Sequence, residues 1–180
     1  LRGLEIGKIG FDPTGDADPQ IAAAEKLAVE LGLSRDALDA YALRSHIRAH
    51  LAQEARRFLA EIVQLRMAAE ETRDESLDGD LTADDLADIA PFVEGGRTTP
   101  GNSGLPHDGA AFAVLVGERC WRALGEVPAL CVTASVACGV DPGREASAPV
   151  EALRRLAERI EGTRRSLGLV EMGESSAAQA

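Results

Sequence analysis

Apolar residues recur at helical spacing over Ile21, Ala24, Leu27, Ala28 and Leu31, and Gly32 stops them. This predicts an amphipathic helix, with Asp18 placed to accept hydrogen bonds from the free first-turn amides and Pro19 suited to the first helical position. Ser34 then predicts the cap of a longer helix running to about Phe58. Its apolar stripe is Leu38, Tyr41, Ala42, Ser45, Ala49 and Ala52, with arginines and acids on the opposite face. Residues 61–65 have the Ile-Val character of a short strand. Thr82 is placed to cap a short helix over 83–89 that ends before Pro91. The apolar run 110–116 predicts a buried strand, followed by a helix over 118–124. Residues 129–137, rich in Val, Thr and Cys, predict a second strand. Asp141-Pro142-Gly143 turns the chain into a helix over about 149–160, and 167–172 predicts a third strand. Strands alternating with helices indicate an α/β layered architecture with helices covering a sheet.

Two stretches break the pattern. Residues 10–16 hold two glycines and a proline and read as a loop. Residues 70–88 carry nine acids against one arginine, which predicts a solvated excursion whose Leu77, Leu81 and Leu86 are too few to build a core. Over the whole 180 residues, 30 acidic and 19 basic side chains give a formal charge of -11. Nucleic acid would meet net repulsion, and no basic stripe offsets it. At 45% hydrophobic and 27% charged the composition is that of a globular domain. Aromatics are only 3% of residues, so the core must come from closely packed small and medium aliphatics. No apolar run reaches the roughly 20 residues a membrane-spanning helix needs. From Leu1 onward no basic stretch precedes an apolar run of the kind export signals carry. Three cysteines without a Cys-x-x-Cys pair favour a reducing, cytoplasmic setting.

Few residues carry chemistry on their own pattern. His46 and His50 are four apart on the second predicted helix and could in principle share a metal ion. The helical zinc motif, however, needs Glu directly after the first histidine, where this chain has Ile47, so two partly exposed histidines and no metal site is the better reading. Cys131 and Cys138, seven apart, would face opposite sides of one strand. Each of these and Cys120 reads as a small buried hydrophobe. The segment 101–109 is more informative. Its glycines permit close backbone approach, and Asn102, Ser103 and His107 supply polar groups ahead of a buried strand. It reads as a pocket wall, or alternatively as a turn that merely needs positive φ.

A set of short segments then lines up. Ser34-Arg35 with Asp39, Ala42 and Ser45 is followed by Arg48-Ala49, Glu61-Ile62-Val63, and Gly101-Asn102 with Asp108-Gly109-Ala110-Ala111. Gly139-Val140-Asp141-Pro142 and Leu169-Val170-Glu171 with Glu174 and Ala177-Ala178-Gln179 complete the series. In order and spacing these resemble the thiolases over roughly residues 20–180. The resemblance implies a thiolase-like layered αβαβα fold, in which 1–96 correspond to a mostly helical loop domain. Residues 97–127 would be the last strand and helix of the first half, and 128–180 the opening of the second half. Neither half-sheet would be complete. Further thiolase segments, in the same chain or a partner subunit of a homo- or hetero-oligomer, would then have to cover the exposed edges.

The resemblance also implies a function. Thiolases cleave or condense 3-ketoacyl-CoA, with coenzyme A thioesters as substrates and no separate cofactor. A cysteine thiolate attacks the acyl thioester and donors hold the developing oxyanion. The segments that carry the nucleophilic cysteine, its activating Gly-His-Pro histidine and the second, acid/base cysteine are not found in residues 1–180, and Cys120, Cys131 and Cys138 do not match them. Where thiolases often have Asn-Glu-Ala-Phe, whose Asn holds a water near the oxyanion, this chain has Gly173-Glu174-Ser175-Ser176. Glu174 and Gly173 are therefore the catalytic-loop candidates. Phe92, Asn102, Ser103, Gly104 and His107 are the candidates for contact with acyl-CoA. The family's pantetheine-lining His-Met pair falls at Pro19-Gln20, and its arginine near the adenosine phosphate falls at about Asp78. Two other functions stay open: a non-catalytic thiolase-like subunit binding acyl-CoA or a partner protein, and a thiolase-like aldolase acting on a β-hydroxyacyl-CoA.

Overall fold

The structure is a computed structural model and describes residues 19–62, 77, 79–104, 112–160 and 167–180. The first predicted helix is α1, Pro19–Glu30. Its end is set by Gly32, whose φ of 66° lets the chain reverse. There Gly32 N donates to Val29 O and Leu33 N to Ala28 O, so two terminal carbonyls are satisfied. Helix α2, Arg35–Glu54, starts at Ser34, whose side chain accepts a hydrogen bond from Ala37 N. It stops short of the expected Phe58, because Arg56 takes a φ of 56° that a helix cannot continue. Thr82 caps α3, Ala83–Ala87, and Asp85 returns the bond to the Thr82 amide, so both partners satisfy an otherwise free donor.

Further along lie α4, Glu118–Ala123, a 3₁₀ turn over Glu145–Ser147, and α5, Ala148–Arg159. Helix α1 packs on the 3₁₀ turn and α2 on α3. The core is built of small side chains, as the composition requires. Ala28, Leu38 and Ala178 meet at its centre, so α1, α2 and the end of the described chain are joined by one apolar contact. Leu86 is also fully buried, so the acidic stretch 70–88, whose leucines are too few to build a core of their own, still adds one residue to it. Its place on α3 turns it towards α2, while Asp84, Asp85 and Asp88 stay in solvent. No helix among the described residues is long and apolar enough to cross a membrane.

The expected strands are where the structure differs most. Residues 112–116, 129–137 and 167–172 form no strand ladder. The pairing found among the described residues is an isolated antiparallel bridge, Ser103 to Ser176. A strand is stable only with neighbours to take its backbone hydrogen bonds and a layer to cover its face, and these segments find neither among the described residues. Phe112 is consequently 96% exposed and Leu130 99%. The same lack of cover corrects the reading of the cysteines: Cys120 and Cys131 are exposed and Cys138 is half-buried. The strand expected at 61–65 lies mostly outside the described residues.

Leu38→Ala should cost about 2–5 kcal/mol, because the contact of α1, α2 and the turn at Ala178 has mostly small neighbours to collapse into the space. Chemical denaturation of wild type and variant measures it as a shift in midpoint at unchanged slope.

Candidate functional site

Polar side chains, more than apolar ones, bring the predicted site residues together. Asp39 occupies a buried position on α2 between Leu38 and Ala42 and would be an unpaired buried carboxylate without partners. Arg35, one helical turn earlier, donates from Nε to Asp39 Oδ2 at 2.6 Å. The Nη2 of the same guanidinium donates to the carbonyls of Leu86 and Ile89 at the end of α3, at 2.6 and 2.9 Å. The other carboxylate oxygen, Asp39 Oδ1, accepts from Asn102 Nδ2 at 2.8 Å.

Asn102 is 3% exposed and its side chain is fully engaged by protein. Nδ2 also donates to Arg97 O at 3.0 Å, and Oδ1 accepts from Thr99 N at 2.9 Å. Gly101 has a packing role. A side chain there would come within 2.7 Å of Ile89 Cδ1 and Leu86 Cδ2, so its absence lets the loop lie against α3. Gly101 and Gly104 do not take positive φ, which removes the alternative reading of these two as turn glycines.

A second polar knot fixes the approach to this loop. Arg97 Nη1 donates to Ala28 O and Leu33 O at the end of α1. Glu25 accepts from the amides of Arg97 and Thr98 and from the Thr98 hydroxyl. Burial pushes the Glu25 carboxyl up, but the Thr98 amide and hydroxyl, the Arg97 amide and the Arg97 charge together outweigh it and hold the group below the usual carboxylate range.

The loop so anchored pairs with 173–177. Gly104 N donates to Ser175 O at 2.9 Å and Ala177 N to Asn102 O at 2.8 Å, framing the Ser103–Ser176 bridge. Thus Asn102, Ser103, Gly104, Gly173 and Glu174, 70 residues apart in the chain, lie on two adjoining turns. Ser103 is half-buried, while Gly104, Gly173 and Glu174 are exposed. Ser176 Oγ is buried without a hydrogen-bond partner. Phe92 is half-buried and reaches the assembly through its backbone, its amide donating to Thr98 O. His107 and Asp78 lie outside the described residues. Among the described residues no three His, Cys, Asp or Glu side chains gather where a metal could bind.

The Arg35–Asp39–Asn102 chain is what the sequence reading missed as a contact. Its legible signal was an acid on the apolar face of α2 with an arginine four residues before it.

A family model described as the thiolase N-terminal domain matches residues 18–119. The chain belongs to the thiolase family. It is 38% identical over 164 residues to a probable acetyl-CoA acetyltransferase of Escherichia coli K12, a match covering 87% of this chain and 42% of that protein. It is 33% identical to the 3-ketoacyl-CoA thiolase of Bacillus subtilis, covering 87% of this chain and 44% of the relative. The crystal structure of the Bacillus anthracis acetyl-CoA acetyltransferase superposes with a TM-score of 0.75 at 28% identity, over 94% of this chain and 44% of that one. This thiolase-family chain therefore has a thiolase-like fold and spans less than half the length of the curated relatives it matches.

Asn102→Ala should destabilise the protein by about 1.5–3 kcal/mol, since it leaves the buried Asp39 carboxylate short of a donor and the Thr99 amide short of an acceptor; urea denaturation measures it. A carboxyl whose value is lowered by folding adds stability that is full above its unfolded value and is lost as pH falls through the folded one. Glu25→Gln should therefore be less stable than wild type near neutral pH, with the difference shrinking as pH falls through and below the ordinary carboxylate range, as read from denaturation midpoints against pH.

Proposed function

We propose that this chain is the middle part of a thiolase-like acyltransferase acting on acyl-CoA thioesters, by thiolytic cleavage or Claisen condensation of 3-ketoacyl-CoA. The observation that carries the reading is the pairing of 102–104 with 175–177 in a chain of this family, since it joins the two turns assigned to the acyl pocket. In this reading Glu174 and the loop 102–107 line the pocket and Phe92 lies near the nucleotide. Residues 1–96 form the loop domain, 97–127 close the first half and 128–180 open the second. The uncovered apolar segments around Phe112, Leu130 and Leu169 support completion of both half-sheets by further thiolase segments. Those segments would also bring the attacking thiolate.

One observation favours a second reading, a subunit that binds acyl-CoA without turning it over. Gly173 stands where the family often has the Asn that holds a water near the oxyanion, and glycine has no group to do so. A side chain at this position would meet nothing within 4 Å, so the missing group is not excluded by space.

Titration calorimetry with acetyl-CoA on the natural protein that contains these residues should give saturable binding below about millimolar ligand, within the affinity range of substrate sites. Acetoacetyl-CoA should be cleaved by coenzyme A. Gly173→Asn should raise kcat by about tenfold or more, on the scale of one restored oxyanion contact. Binding without turnover in both proteins would favour the second reading, and absence of saturable binding would overturn both.

A further inference from the structure

The two turns of the site are held unequally. The Ser175–Ala177 side is tied to the 102–104 loop by two backbone hydrogen bonds and by burial of Ala178 against Ala28 and Leu38. Among the described residues the Gly173–Glu174 side has no such backbone bonds to the loop. Gly173 has open space where a side chain would be, and its carbonyl is engaged only locally, by Ser175 N. Gly104 lies against the Glu174 carbonyl, and among the described residues the hydrogen bond that reaches the Glu174 side chain from elsewhere in the fold comes from Tyr41, whose hydroxyl donates to Glu174 Oε1 at 3.0 Å, across 133 residues of sequence.

Tyr41 is suited to hold a carboxylate in place. It sits on α2 two residues beyond Asp39, so its backbone is fixed by the buried Arg35–Asp39–Asn102 chain. The Arg44 guanidinium lies 5.1 Å from the ring centre, a cation–π contact that restricts the ring. A phenol turns about few bonds, so little rotational freedom is lost in presenting its hydroxyl.

We propose that Tyr41 is a positioning residue, whose hydroxyl fixes the Glu174 carboxylate and with it the Gly173–Glu174 end of the turn. This rests on the acyl-CoA reading only for its consequence in turnover; the clamp itself is a property of the fold. It also gives α2, a helix without a proposed ligand contact, a direct bearing on the site.

Burial raises the Tyr41 phenol above its usual value, and the bond and charge of Glu174 raise it further, against a lowering by Arg44 and Arg48. Tyr41 is the one tyrosine in these 180 residues, so its ionisation can be isolated. In the natural protein, tyrosinate absorbance of wild type minus that of Tyr41→Phe should titrate above the usual range, and the same subtraction in a Glu174→Ala background should titrate lower. An unchanged titration in Glu174→Ala overturns the clamp. In turnover, Tyr41→Phe keeps the ring and removes the hydroxyl, so kcat should fall about 3- to 10-fold with KM within about twofold. In the Glu174→Ala background it should have no further effect. Additive losses would show that Tyr41 does not act through Glu174 and would overturn the positioning role. Absence of turnover in wild type would overturn the acyltransferase reading, while the titration still decides the clamp.

Discussion

The hydrogen bond from Asn102 to Asp39 is the tie on which the arrangement of the site depends. It joins a buried carboxylate on α2 to a loop 63 residues away. Asn102 reaches three partners with its side chain and a fourth, the Ala177 amide, with its carbonyl. The interior makes this arrangement close to all-or-none. A buried polar network with every member satisfied fixes one geometry, whereas a partly satisfied one is worse than an apolar core. Arg35 extends the same logic to α3 by neutralising Asp39 and closing the last carbonyls of that helix. Small aliphatics alone would not hold these elements in register, because an Ala-rich contact gains little area and permits sliding.

Two kinds of structure meet in the chain. Helices α1 to α3, the loop 97–104 and the residues around Ala178 are knitted by buried side chains and long-range hydrogen bonds. Residues 112–137 and 167–170 carry exposed apolar side chains that find no such partners. Helix α5 belongs with the second group, since Val150 and Leu153 remain exposed and none of its residues is buried. The knitted part ties its buried carboxylates and Asn102 into hydrogen bonds, while the rest is patterned for burial and finds no cover among the described residues.

The residues of the Arg35–Asp39–Asn102 tie belong to the segments by which the chain resembles thiolases. Of the departures in the catalytic loop, Gly173 is exposed with open space where a side chain would be, whereas Ser176 is buried.

Local physics was legible in the sequence. The ends of α1 and the starts of α2 and α3 follow from Gly32, Ser34 and Thr82, because capping is decided within one turn of chain. The family membership was legible too, from collinear short segments. What the sequence left open were relations between distant residues: that Asn102 spends its side chain on Asp39, that Leu86 is core, that Tyr41 meets Glu174. The segments expected as buried strands form no ladder among the described residues and leave Phe112, Leu130 and Leu169 exposed, because periodicity reports what a face needs and not whether a neighbour supplies it. Propensity and capping are settled by a few adjacent residues, so sequence alone determined them. Burial, hydrogen-bond partners and the joining of the two turns depend on groups brought from 60 to 130 residues away, roughly, and only the tertiary structure decided those.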